Sequence, residues 1–171
     1  MKKYEFTGET KEIRLLFRTA TLHRIRATVA FGIVEVGDLG GWIEKEENLS
    51  HEGKAWVCGD AKVCGDAKVC GDAEVWGNAE VWGNAEVFSA SHVLVIGAIG
   101  SRNDFTTFYR DKDNEITVKC GCFLGKIDRF LEKVTQTHGD SKYALVYRAA
   151  VEVAKLQIDL SGEAPKDADE E

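Results

Sequence analysis

The chain has 171 residues, 44% of them hydrophobic and 30% charged, with 17 Gly and a single Pro. That is enough apolar content for one or two small packed domains, and too much for a disordered chain. The net charge is −7, with five acids among the last eleven residues, so bulk attraction to nucleic acid is not expected. No apolar stretch has the length of a membrane span, and Met1-Lys2-Lys3-Tyr4-Glu5-Phe6 has no apolar signal core. The five Cys are expected as reduced thiols in a cytoplasm.

Residues 1–40 are expected to form an N-terminal β cap. Leu22–Ala27 alternates as a strand does, and Phe31–Val36 reads as a second strand before a turn at Gly37-Asp38. Arg14, Arg18, Arg24 and Arg26 make this region locally basic.

Residues 41–99 carry a six-residue period. Val57, Val63, Val69, Val75, Val81 and Val87 are evenly spaced, and Val93 and Ile99 continue the series. Alanines from Ala55 to Ala85 and glycines from Gly59 to Gly83 run in step, each glycine followed by Asp or Asn. Six fits no helical period, and Val with Gly at that spacing opposes a helix. It suits a coiled parallel β-structure with Val and Ala inward and Gly-Asp or Gly-Asn at the corners. The pattern resembles the left-handed β-helix of the hexapeptide-repeat superfamily, whose coil takes about 18 residues. Ile43 and Leu49 fall in phase with the alanines, so the coil is expected to begin near Gly41. The overall fold class is mainly β: a short left-handed parallel β-helix between an N-terminal β cap and a small α+β domain.

An 18-residue rung stacks Cys58 with Trp76, Cys64 with Trp82 and Cys70 with Phe88, in three outward directions. Such cysteines cannot converge on a metal, and no metal site is expected. Trp76, Trp82 and Phe88 form an apolar ridge that needs a cover, so they are the expected interface of a homo-oligomer, by resemblance a trimer.

The α+β domain is expected over 100–160. Val93–Ile99 either closes the coil or begins a sheet. Phe105–Arg110 and Glu115–Cys122 read as a hairpin, followed by one helix through Ile127, Phe130, Leu131 and Val134, and a second capped by Asp140 or Ser141. Residues 161–171 read as a disordered acidic tail.

The Gly-rich segment Gly97–Asp104 supplies the kit for a phosphate or carboxylate: exposed amides with hydroxyl, guanidinium and amide side chains. The candidate ligand contacts are Ser101, Arg102, Asn103, Thr106 and Thr107, with Arg24 and Arg26 as possible additions. No catalytic set and no cofactor are assigned. His51 and His92 flank the repeats and are the bases an acyltransferase reading would use, but no Cys/His or Ser/His pair stands at motif spacing. Cys120 and Cys122 share one strand face and supply only half of a zinc ligand set.

Leu22–Ala27, Gly37-Asp38-Leu39-Gly40-Gly41-Trp42-Ile43-Glu44, Asn48-Leu49-Ser50, the repeats, Cys120-Gly121-Cys122-Phe123 and His138-Gly139-Asp140 together resemble a family of bacteriophage and prophage proteins. The departure from its repeats is Cys at 58, 64 and 70, where many carry Tyr. The resemblance implies a phage-encoded protein in a bacterial cytoplasm and carries no activity with it. The Gly-Ser-Arg loop, multiplied by symmetry and without a catalytic set, leads to the expectation of an oligomeric binder that sequesters an anionic small molecule such as a nucleotide immune signal, or a host protein. An acyltransferase-like enzyme and a structural scaffold are the alternatives.

Overall fold

The computed structural model describes residues 1–163. The chain is mainly β, with two helices near its C-terminal end. An antiparallel hairpin of β1 (Tyr4–Arg14) and β2 (Thr19–Ala27) opens it, and β3 (Leu39–Ile43) pairs antiparallel with β2. Strand β1 escaped the sequence reading because its irregularly placed charges, Glu5, Glu9 and Glu12 among them, break the apolar pattern along a largely exposed strand. The strand expected over Phe31–Val36 is absent. Phe31 and Val34 instead exchange backbone bonds of 3.0 and 2.8 Å around Gly32, whose positive φ folds the segment back on itself.

The repeats form six two-residue strands: β4 (Trp56–Val57), β5 (Lys62–Val63), β6 (Lys68–Val69), β7 (Glu74–Val75), β8 (Glu80–Val81) and β9 (Glu86–Val87). Each pairs in parallel with the strand 18 residues away, β4 with β7, β5 with β8 and β6 with β9. The valines and alanines of the repeats are buried in one cluster. The glycines at the corners have φ of +61 to +69°, a conformation that costs glycine least.

The first rung departs from the expected phase. Ile43 pairs with Val63, and Leu49 bridges to Val69, so both lie under valines rather than alanines. The reason is the spacing from Leu49 to Val57, eight residues instead of six: two extra residues fall in the segment leading to β4. Gly40 and Gly41 serve close approach here. A Cβ at Gly40 would stand 2.6 Å from the Ile25 side chain, and one at Gly41 would stand 2.6 Å from the Ala61 carbonyl.

Each end of the repeats leaves backbone groups with no further rung to pair with, and side chains satisfy them. At the first rung, Lys3 Nζ donates to the Ala55 carbonyl at 2.7 Å, and the Tyr4 hydroxyl donates to the Leu49 carbonyl at 2.8 Å. Asn48, fully buried, accepts from the Glu44 and Lys45 N–H groups and donates to the Gly65 and Ala67 carbonyls. At the last rung, the Glu80 N–H donates to Thr107 Oγ1 at 3.0 Å, and Tyr109 bonds both backbone groups of Trp82.

Those caps come from a four-stranded antiparallel sheet, β10 (Val93–Ile99), β11 (Asp104–Arg110), β12 (Ile116–Cys120) and β13 (Phe123–Lys126), in that order. Val93–Ile99 therefore begins this sheet instead of closing the coil. Period-two alternation along β11 turns Thr107 and Tyr109 toward the repeats and Phe108 toward the helices. Helices α1 (Ile127–His138) and α2 (Lys142–Gln157), the latter with Ser141 at its N-cap position but without a side-chain cap bond, pack Phe130, Val134, Tyr147 and Val151 against Phe108 and Val118. Among the described residues no helix is long and apolar enough to cross a membrane. The acidic tail expected from 161 lies outside the described residues from 164 onward.

Candidate functional site

The loop between β10 and β11 carries Ser101, Arg102 and Asn103, all exposed. It is seated on Tyr147 of α2: a Cβ at Gly100 would overlap the Tyr147 hydroxyl, and that hydroxyl is hydrogen-bonded to Ser101 and Cys120. Burial, and then the neighbouring Cys120 thiol, push the Tyr147 phenol up, so it stays a neutral donor. Asn103 takes the turn with φ of +51°, which Asn tolerates better than most residues.

Beneath the loop lies a hollow of about 160 Å³. Arg102 and Lys133 contribute cations, Ser101 and Thr137 hydroxyls, and Phe123 and Phe130 apolar rings. His138 reaches the same hollow from the last turn of α1, with its ring stacked on Tyr147 at 5.7 Å between centroids. Among the described residues none of the lining side chains is acidic. Arg102 lies across the tight turn between β12 and β13, where a Cβ at Gly121 would stand 2.8 Å from its guanidinium. Such an arrangement suits a small anion: two fixed positive charges, hydroxyl and imidazole donors, and no carboxylate to compete.

The other sequence candidates are placed elsewhere. Thr107 is buried and spends its hydroxyl on the Glu80 N–H, and Thr106 is buried with its hydroxyl donating to Cys120 Sγ at 3.3 Å. Both are structural, because β11 is a central strand covered on both faces. Arg26 pairs with Glu5 at 2.6 Å on the outer hairpin, and Arg24 bonds the Gly40 carbonyl and faces Glu9 at 3.7 Å. Neither lines the hollow below Ser101 and Arg102. Lys133 and Thr137 were missed by the sequence reading. They follow Phe130 and Val134 by three residues on α1, a spacing that places them beside the buried stripe.

Of the expected interface ridge, only Trp76 is substantially exposed, at 50%. Trp82 is buried with Leu22, Trp42 and Cys64, and Lys119 lies 4.3 Å from its ring centre. Phe88 is half-covered by Arg110, 4.5 Å from its ring centre, and by His92. The chain's own flanks thus cover two of the three aromatics.

Both histidines of the enzyme reading act as backbone acceptors. His51 Nδ1 accepts the Lys3 N–H at 3.0 Å with its ring stacked on Tyr4, and His92 Nδ1 accepts the Phe88 N–H at 3.2 Å. Burial lowers the pKa of each, holding both rings neutral. Among the described residues, no three His, Cys, Asp or Glu side chains group as metal ligands.

No protein-family model matches this chain, and no curated protein does either.

Proposed function

We propose that the protein is a phage-encoded, oligomeric binder that sequesters an anionic small molecule of the nucleotide class, whose phosphate end seats in the hollow under Ser101 and Arg102. The observation that carries this reading is the convergence of Arg102 and Lys133, with His138, on a hollow whose described walls hold no carboxylate. Phosphate oxygens would take the cations and hydroxyls, and a flat ring would lie near Phe123.

Self-association belongs to the same proposal, with a left-handed winding of the repeats as in hexapeptide-repeat proteins. Trp76 sits with Phe31 and Ile33 around a shallow apolar hollow of about 270 Å³, and Ile33 and Val36 are exposed at 75% and 67%. Contiguous apolar exposure of this kind marks contact surfaces.

Calorimetry with a panel of cyclic dinucleotides and cyclic ADP-ribose isomers tests the binding. The expected result is saturable binding of at least one compound, weakened tenfold or more by Arg102→Ala and by Lys133→Ala. Silence across the panel, or binding unchanged in both variants, removes the proposal. Native mass spectrometry of the same samples reads the oligomer.

A further inference from the structure

A second and larger hollow, of about 640 Å³, lies on the other side of the Gly121–Cys122 turn. Strand β1 contributes Arg14, the β5–β8 ladder contributes Lys62 and Glu80, and the C-terminal sheet contributes Phe105 and Lys119. Its volume falls within the range of roughly 300–1,000 Å³ typical of small-molecule sites.

The charges on this face are unevenly matched. Lys119 is nearly buried, with its ammonium 3.2 Å from the Glu80 carboxylate, so that pair is internally neutral. The Asp104 carboxylate at the rim accepts the Phe105 N–H at 2.7 Å. Arg14 and Lys62 have no carboxylate within ion-pair distance among the described residues, and Lys62 Nζ donates only to the Asp60 carbonyl, at 3.2 Å.

Two more cations crowd the adjoining strands. Lys11 Nζ lies 4.0 Å from the centre of the Trp42 ring, and the Arg24 guanidinium lies 5.7 Å from it. The pKa of Lys11 is lowered, by burial first and then by Lys62 and Arg24, with Asp60 and Glu9 acting the other way. Lys11, Lys62 and Arg24 gather beside Trp42 and repel one another, with Glu9, 3.7 Å from Arg24, and Asp60 as counter-charges, and an added anion would relieve that repulsion further. Trp82 also lines the hollow, and among the described residues its indole N–H is buried without an acceptor. Phe105, 39% exposed at the rim, offers a ring face.

We propose that this groove is a second binding site, for a nucleoside polyphosphate, whose phosphates lie between Arg14 and Lys62 and whose base lies against Phe105. The site stands on residues separate from Arg102 and Lys133 and does not depend on the hollow beneath them.

Titration of the full chain with adenosine triphosphate and with inorganic triphosphate, followed by calorimetry and by the Trp82 indole N–H resonance, tests the assignment. Both probes are expected to bind and to shift that resonance. Lys62→Gln and Arg14→Gln should each weaken both probes at least fivefold. Phe105→Ala should weaken the nucleotide at least threefold and leave triphosphate within twofold. Arg102→Ala and Lys133→Ala should leave both probes within twofold. No binding at millimolar probe, binding indifferent to Lys62→Gln and Arg14→Gln, or binding lost only in the Arg102 and Lys133 variants overturns the proposal. Since Arg14 is exposed, Arg14→Gln keeps the test decisive even where a Lys62 variant misfolds.

Discussion

Tyr109 closes the last rung of the repeats by bonding both backbone groups of one residue: its hydroxyl donates to the Trp82 carbonyl at 2.7 Å and accepts the Trp82 N–H at 3.3 Å. The ring is fully buried and belongs to the same cluster as the repeat valines. One side chain therefore ties the C-terminal sheet to the repeats through packing and through hydrogen bonds.

Tyr109→Phe keeps the ring and removes both bonds, leaving the Trp82 N–H and carbonyl without a partner in a buried place. The expected loss is about 1–3 kcal/mol, from the cost of stranding buried polar groups. Urea unfolding should show a lower midpoint with an unchanged slope. An unchanged midpoint would mean that water reaches this end of the repeats.

The repeat region was legible in the sequence because each hexad repeats the same three demands: Val inward, Ala inward and Gly at the corner. A cap over residues 1–40 was expected, but the side chains that do the capping at either end were not legible, because they are set by where the partner ends. Thr107 read as a ligand contact since a Thr beside a Gly-rich loop offers a hydroxyl. Only the register of β11 against the last rung turns that hydroxyl onto the Glu80 N–H. In the same way, the alanine-phase reading of Ile43 and Leu49 assumed an unbroken hexad. At the candidate site, Arg102 was visible in its loop, whereas Lys133 and Thr137 join it only because α1 folds back beside β13.

Trp76 and Trp82 occupy equivalent places in successive hexads but should respond oppositely to truncation. Trp82→Ala opens the cluster of Leu22, Trp42 and Cys64, with an expected cost of about 3–5 kcal/mol. Trp76→Ser removes a half-exposed ring, so thermal stability should change by less than about 1 kcal/mol. If Trp76 lies in a contact between copies, its loss instead lowers the mass read by light scattering. Equal destabilisation by the two substitutions would contradict the burial of Trp82 by the flanks.

Thiol reactivity gives an independent map of the fold. Cys122 is exposed at the turn, whereas Cys64 is buried and its thiol is pushed up to about 12, by burial first and then by Glu44. Burial, followed by Glu74, likewise pushes Cys58 up to about 11. Since the thiolate is the nucleophile, native protein at pH 8 should show a fast labelling phase with an aromatic disulfide reagent. Cys122→Ser should abolish that phase, and Cys64 should label only on unfolding. Rapid modification of Cys64 in the folded chain would show that its covering hairpin opens.

His51 and His92 make stability sensitive to pH in a defined direction. Burial lowers both pKa values, with Lys2 and Lys3 adding to the effect at His51 and Arg110 at His92; Glu46 and Asp159 act against it. Above about pH 6.5 both rings are neutral whether the chain is folded or not, and they contribute no pH dependence. Below it, the unfolded chain takes up protons that the folded one refuses, so stability falls with falling pH down to the native pKa of each ring. The melting temperature should therefore drop between pH 7 and 5.5. Carboxylates with lowered pKa, such as Glu44 bonded to Arg18, hold their contribution until the pH falls below about 4.5 and do not act in that window. His51→Asn with His92→Asn retains an oxygen acceptor for the Lys3 and Phe88 N–H groups and removes the titrating ring. The double variant should melt with little change between pH 7 and 5.5. A drop as steep as in the unsubstituted chain would place the sensitive groups elsewhere.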